Sequence, residues 1–265
     1  MDVLRRNNLE AIAYAKDAGI ELNRDGYNTT SKLAWITQTP KQFDFQSAHW
    51  PTEFHHTGPF VDESTRAEID FPWNELTGEP LIYASMGTLQ NGLVDVFREI
   101  CAATTKYKNM QLVLSIGNNM DKQKIGTLPK NAIVVKNAPQ VELLKRASLC
   151  ITHAGCNTVL ESLMYGVPQI AIPIAHDQPG IARRIVENGT GLYMALENLT
   201  AKGLATLIDE ILSNGAYRES ARKLQESIAQ CNGLSAAANL LEEAFGLSAI
   251  AREPEWGTGH LVAEN

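Results

Sequence analysis

From Pro80 onward, short apolar runs alternate with stretches whose apolar residues recur at helical spacing. The apolar runs predict strands at Leu81–Ser85, Gln111–Ile116, Ala132–Val135, Leu149–Thr152, Gln169–Pro173 and Gly191–Met194. These runs lack the strict alternation of apolar and polar residues that marks a strand with one solvated face. The pattern therefore predicts a parallel sheet covered by helices on both faces, as in a doubly wound α/β domain.

Helical spacing predicts helices both between these strands and after the last of them. The helices between strands are predicted at Val94–Thr105, Val141–Ala147, Val159–Met164 and Ile181–Glu187. Those after the last strand are predicted at Ala201–Leu212, Ala216–Gln230 and Ser235–Phe245. No strands separate the final three, so we expect them to pack against the sheet edge or to cross back over the cleft.

The part of the chain before Pro80 has fewer regular patterns. It predicts one helix at Leu4–Ala18 and a single strand at Leu33–Thr37, which is too little to complete a sheet. The stretch Asp62–Glu79 mixes charges with Pro72 and Gly78 and is interpreted as a linker. We therefore predict an incomplete domain at 1–61, a linker at 62–79, a complete domain at 80–246 and a loosely held tail at 247–265.

Composition narrows the classes of partner. The chain of 265 residues carries 23 basic and 30 acidic residues, a net charge of -7, which disfavours a nucleic-acid binder. The four cysteines show neither CxxC spacing nor the density of a disulfide scaffold, which predicts a reducing compartment and no zinc site. We expect no secretory signal and no transmembrane segment, hence a cytoplasmic protein.

A loop rich in small and polar residues follows the predicted strand that ends at Thr152. In an open parallel sheet, ligands bind at the carboxyl ends of the strands, where helix N-termini attract anions. Gly155 would let a phosphate approach the backbone, Asn157 and Thr158 would cap the helix and donate to phosphate oxygens, and His153 would add a hydrogen bond. Glu161, one turn further along the helix, is suited to the paired hydroxyls of a ribose.

Two other strand ends carry similar chemistry. Ser85, Gly87 and Thr88 follow the first predicted strand and offer small side chains and amides to a diphosphate. We expect this strand to neighbour the one that ends at Thr152, so that both loops hold one diphosphate. Asp177 and Gln178 follow another strand end and can accept from and donate to sugar hydroxyls.

The run from Asn137 to Gly180, NAPQVELLKRASLCITHAGCNTVLESLMYGVPQIAIPIAHDQPG, resembles the donor-binding signature of the UDP-glycosyltransferases. Its segment 158–184 looks most like the bacterial zeaxanthin glucosyltransferase branch, with macrolide glycosyltransferases as related members. Thr57–Pro59 and Leu81–Gln90 resemble the end of the family's first domain and the start of its second. The resemblance implies a GT-B fold with a complete C-terminal Rossmann-like domain and a partial, N-terminally truncated acceptor domain.

The resemblance also implies roles for individual residues. Ala138 and Gln140 would hold uracil and ribose, and His153 with the 155–158 turn would hold the diphosphate. Glu161 would take the ribose hydroxyls, and Asp177 with Gln178 the sugar. Plant members have a tryptophan where this chain has Asn137, so base recognition would depend more on the backbone near Ala138 and on Gln140.

The family's catalytic base is a histidine near the start of the first domain, and no histidine of this chain has that context. The catalytic residue is therefore not identified, since His49, His55 and His56 occur late in that domain. We interpret His55, His56 and also His176 as structural or surface residues. Taken singly, Gly155 and Glu161 fit ordinary roles in a helix equally well, and only the joint order and spacing of the motif favour the functional interpretation.

The implied reaction is transfer of a hexose, chiefly glucose, from a UDP-sugar to a hydroxyl of a small lipophilic acceptor. It would proceed with inversion, without a metal or cofactor, and we expect the chain alone to be inactive and to self-associate. The alternatives are a donor-binding subunit that works with a second chain, a non-catalytic nucleotide-sugar-binding fragment, and, disfavoured, a nucleotide-sugar epimerase. Peripheral contact with a membrane is compatible with such an acceptor.

Overall fold

The computed structural model describes residues 12–19, 31–47, 50–87 and 93–247. Most of the predicted helix Leu4–Ala18, the residue Thr88 and nearly all of the 247–265 tail lie outside these ranges. The chain divides into two units, of which the larger comprises Thr37–Trp50 and His56–Leu234. The larger unit contains the main sheet and every described candidate site residue. The domain boundaries proposed from the sequence stay a prediction.

The larger unit contains six parallel strands, which are β3 Leu81–Ser85, β4 Gln111–Ser115, β5 Ala132–Val135, β6 Ala147–Thr152, β7 Gln169–Ala171 and β8 Gly191–Tyr193. Across the sheet they lie in the order β5-β4-β3-β6-β7-β8. Each overlaps its predicted run, so the α/β fold with a parallel sheet is confirmed. The order also places β3 beside β6, as expected from their two loops.

The helices alternate with the strands and then follow them. The first helix, α1, is described over residues 12–17. The helices that follow are α2 Val94–Thr104, α3 Gln140–Leu144, α4 Cys156–Met164, α5 Gln178–Glu187, α6 Ala201–Ser213, α7 Ala216–Ala229 and α8 Gly233–Ala244. Among the described residues, no helix is both long and apolar enough to cross a membrane.

Successive side chains of a strand point to opposite faces of the sheet, and on both faces they are buried in apolar clusters. In β3, Ile82 and Ala84 join an apolar cluster with residues of α2 and α6. Tyr83 joins a second cluster that includes Leu143 of α3. The predicted doubly covered sheet is therefore present, and the carboxyl ends of its central strands remain open at one edge.

Residues that precede the sheet also belong to the larger unit. Phe43 is 2% exposed and packs in a third cluster with residues of α4 and α5, including Leu160 and Ile185. The predicted strand Leu33–Thr37 is shorter, Trp35–Thr37 (β1), and pairs with a strand that was not predicted, Phe54–His56 (β2). Most residues of β1 and β2 belong to the smaller unit. The segment before the sheet thus contributes core side chains to the unit that carries the site.

Candidate functional site

A cavity of about 580 Å³ opens at the carboxyl ends of β3 and β6. Most of the residues singled out in the sequence meet here, namely Ser85, Gly87, Gln140, His153, Gly155, Asn157, Thr158, Glu161 and Gln178. Arg66, Cys156 and His176 line the same cavity. The two strand-end loops therefore converge on one space, as their sequence predicted.

Two predicted residues lie outside this lining. Ala138 borders an adjoining cavity of about 460 Å³, together with Tyr83 and Asn137. Asp177 is exposed and is the N-cap residue of α5. The position of Ala138 is compatible with a separate compartment for a base, but the roles of these residues remain predictions.

The loop between β6 and α4 has an unusual backbone. Ala154 has a positive φ of 65°, a conformation that costs a non-glycine residue energy and is often found at functional sites. Gly155 is the N-cap of α4 and no side chain caps the helix. The expectation that Asn157 or Thr158 caps it is wrong, because both lie inside the first turn. Within the described residues, the first-turn N–H groups therefore have neither intrahelical nor side-chain acceptors and can bind an anion.

The imidazole of His153 packs between two glycines. A Cβ atom on Gly87 would lie 2.7 Å from His153 Cε1, and one on Gly155 would lie 2.5 Å from Nε2. Among the described residues, the buried Nδ1 atom of His153 has no hydrogen-bond partner of good geometry. Burial lowers the pKa of His153, although the charge of Asp177 and the backbone of Ser85 oppose that shift. The lowered pKa favours the neutral form of the imidazole.

Glu161 is a buried carboxylate with two hydrogen-bond donors. Its side chain is 5% exposed, Oε1 lies 2.6 Å from Arg66 Nη2, and Oε2 lies 2.7 Å from Gln140 Nε2. Gln140 Oε1 in turn accepts a hydrogen bond of 3.1 Å from the Tyr83 hydroxyl. A buried carboxylate needs such partners, and here they come from two distant segments of the chain, with Tyr83 in turn holding Gln140.

Gln178 and Asn157 use part of their amide groups within the protein. Gln178 Oε1 accepts from the backbone N–H of Ile174 at 2.7 Å and of Ala175 at 3.0 Å, which fixes the loop after β7. Asn157 Oδ1 accepts from Gln38 Nε2 at 2.8 Å. In both residues the amide nitrogen is the group that remains to donate to a ligand.

Arg66 is a cavity residue that no sequence motif singled out. It lies in the predicted linker, where it is the one basic residue among several acidic ones. That isolated positive charge was the available signal, but sequence alone did not show that Glu161, 95 residues away, would face it.

In the described part of the chain, no group of three or more His, Cys, Asp or Glu residues could hold a metal ion.

A helix N-terminus and a buried carboxylate at the carboxyl ends of adjacent parallel strands are typical of α/β domains that bind nucleotides. Residues 104–241 match the family model described as Erythromycin biosynthesis protein CIII-like, C-terminal domain. The chain belongs to the UDP-glycosyltransferase family, whose fold is GT-B. The resemblance found in the sequence is thereby confirmed.

Relatives and solved structures agree with that placement. The chain is 31% identical over 209 residues to an uncharacterized UDP-glucosyltransferase, YojK, of Bacillus subtilis, covering 79% of this chain and 51% of the relative. It is 30% identical over 242 residues to a zeaxanthin glucosyltransferase of Pantoea ananas, covering 91% and 56%. The crystal structure of the calicheamicin glycosyltransferase CalG4 superposes with a TM-score of 0.73 at 24% identity, covering 90% and 60%. The chain thus spans about half the length of these curated relatives.

Proposed function

We propose that this chain binds a UDP-sugar and forms the donor half of a glycosyltransferase. The whole enzyme would transfer a hexose, chiefly glucose, to a hydroxyl of a small lipophilic acceptor with inversion. The similarity to a zeaxanthin glucosyltransferase of Pantoea ananas supports glucose and a lipophilic acceptor. Other relatives are named for macrolide sugars, among them a demethyllactenocin mycarosyltransferase of Streptomyces fradiae.

The proposal rests on the pairing of an anion site with a buried carboxylate in one cavity. The diphosphate would accept from the first-turn N–H groups of α4 and from His153, while the ribose hydroxyls would donate to Glu161. Glu161 lies about one turn along the helix from Asn157 and on the same face, so a ligand with phosphate at the N-terminus of α4 could reach it with its ribose. The base would enter the adjoining cavity at Ala138.

The same groups would assist the departure of the diphosphate. Negative charge develops on the leaving phosphate in the transition state, and preorganised N–H donors and a helix N-terminus stabilise it there. The chain contains no Asp-x-Asp sequence, and we therefore propose that donor binding needs no metal. The Asp177 carboxylate and the Gln178 amide nitrogen would contact sugar hydroxyls. The group that deprotonates the acceptor remains unassigned.

Calorimetric titration of the full chain with UDP, in buffer that contains EDTA, tests the proposal. Glu161→Gln keeps the volume of the side chain but removes its charge, so we expect UDP affinity to fall roughly 10- to 100-fold, as for loss of a hydrogen bond to a charged group. Glu187→Gln, in an exposed pair with Arg183, is the matched control and should bind as the wild type does. Absence of UDP heat in the wild type, or wild-type affinity in Glu161→Gln, would contradict the proposal.

A further inference from the structure

The segment that carries Arg66 is held against the sheet domain by several contacts. Asp62 accepts from the backbone N–H of Ser64 at 2.9 Å and begins a short 3-10 helix, Glu63–Thr65. Glu63 pairs with Lys145 at 2.9 Å and accepts from the hydroxyl of Tyr165. The hydrogen bond from Tyr165 and the pairing with Lys145 lower the pKa of Glu63. Arg66 therefore extends from a backbone that is anchored to the C-terminal ends of α3 and α4, rather than from a loose tether.

Arg66 is also the one cationic side chain of fixed charge that lines the cavity within the described residues. The side chain of Arg66 is 40% exposed, whereas the side chain of Glu161 that it contacts is 5% exposed. The ion pair with Arg66, together with the hydrogen bond from Gln140, fixes the orientation of this buried carboxylate.

The geometry leaves room for a ligand on the same carboxylate. Two carboxylate oxygens offer about four acceptor sites. Arg66 and Gln140 occupy one on each oxygen, so one site on each remains for a pair of neighbouring hydroxyls. A neutral hydroxyl is a weaker donor than a guanidinium, so we expect a bound ribose to leave the Arg66 ion pair in place.

We propose that Arg66 is a positioning residue for the nucleotide ribose, which acts through Glu161 by holding its carboxylate in a fixed orientation. This inference rests on the proposed binding of a UDP-sugar. It assigns to the segment before the sheet a part in recognising ribose, and it predicts that discrimination between ribose and 2′-deoxyribose depends on Arg66.

Calorimetry of the full chain with UDP and with 2′-deoxy-UDP tests this inference. We expect Arg66→Gln to weaken UDP binding about tenfold and to reduce the preference for UDP over 2′-deoxy-UDP. Arg66→Lys, which retains the charge, should recover part of both. In Arg66→Gln/Glu161→Gln, UDP affinity should equal that of Glu161→Gln alone, because Arg66 acts through Glu161. Arg183→Gln, an exposed arginine in an ion pair on α5, is the control and should change neither quantity.

Each of the other possible results has a different meaning. Tighter UDP binding by Arg66→Gln would mean that Arg66 competes with ribose, and additive losses in the double variant would mean that Arg66 acts on another part of the nucleotide. Either result, or an unchanged preference for UDP, overturns the inference while UDP binding itself stands. Absence of UDP binding in the wild type would instead overturn the proposed function. Thermal unfolding of each variant shows whether the fold is retained.

Discussion

Two regions of the chain build the cavity, and they are held in different ways. The loops after β3 and β6 are placed by the backbone of a parallel sheet, and their glycines and helix N-terminus face the cavity directly. The segment before the sheet contributes the side chain of Arg66, which lines the cavity and contacts Glu161. The first region depends on local patterns and the second on contacts between residues far apart in sequence. A substitution in the second region can therefore alter the site without touching the nucleotide-binding motif.

The largest expected effect is a loss of stability on substitution of Phe43, which lies before the sheet yet is buried in the cluster with α4 and α5. Phe43→Ala should reduce the free energy of unfolding by about 3–5 kcal/mol, because it leaves a cavity in a packed core. Phe245→Ala, at an aromatic residue that is 65% exposed, should change it by less than about 0.5 kcal/mol. Urea unfolding followed by circular dichroism measures both. Equal stability of the two variants would show that residues 37–47 are not part of the domain core.

A smaller effect on stability is expected on substitution of Asp44, whose carboxylate accepts from Arg184 at 2.7 Å and contacts His56 Nε2 at 3.0 Å. Burial raises the pKa of Asp44, but the hydrogen bonds with Arg184 and His56 outweigh burial and lower it below 3.8. A carboxylate with a lowered pKa stabilises the fold above its unfolded pKa, and that contribution disappears as the pH falls through the folded pKa.

Asp44→Asn should therefore destabilise the chain by about 1–3 kcal/mol at pH 7, and the difference from wild type should shrink as the pH falls below about 4. Thermal unfolding between pH 7 and pH 3 measures this difference. Asp95→Asn is the control, since Asp95 pairs with Arg98 while 89% exposed and should matter little. A difference between Asp44→Asn and wild type that stays constant over this range would contradict the role of the Asp44 charge.

The sheet and the helix after β6 could be predicted from the sequence because both arise from local patterns. The apolar run 81–85 coincides with β3, and the predicted helix Val159–Met164 lies within α4, which begins three residues earlier. The contact between Arg66 and Glu161 could not be predicted, because no local pattern encodes which of the distant side chains faces a buried carboxylate. The capping role of Asn157 was wrong since the helix begins one residue earlier, at Cys156, where Gly155 supplies the cap without a side chain.

The strand β2 was missed for a related reason. Its three residues, Phe54–His56, are too few to show a period, and they are stabilised by pairing with β1 rather than by their own propensity. His56 is held by Asp44 in the buried pair described above. Its surroundings depend on residues from three segments, which no spacing in the sequence reveals.

The nucleotide of a UDP-sugar is proposed to occupy one cavity, with phosphate at α4 and ribose at Glu161. A crystal structure of the full chain with UDP bound tests this arrangement at every contact. We expect diphosphate oxygens within hydrogen-bond distance of the first-turn N–H groups of α4 and of His153. We also expect both ribose hydroxyls on Glu161, with the Arg66 ion pair still in place. UDP bound elsewhere, or bound with its ribose away from Glu161, would contradict this arrangement.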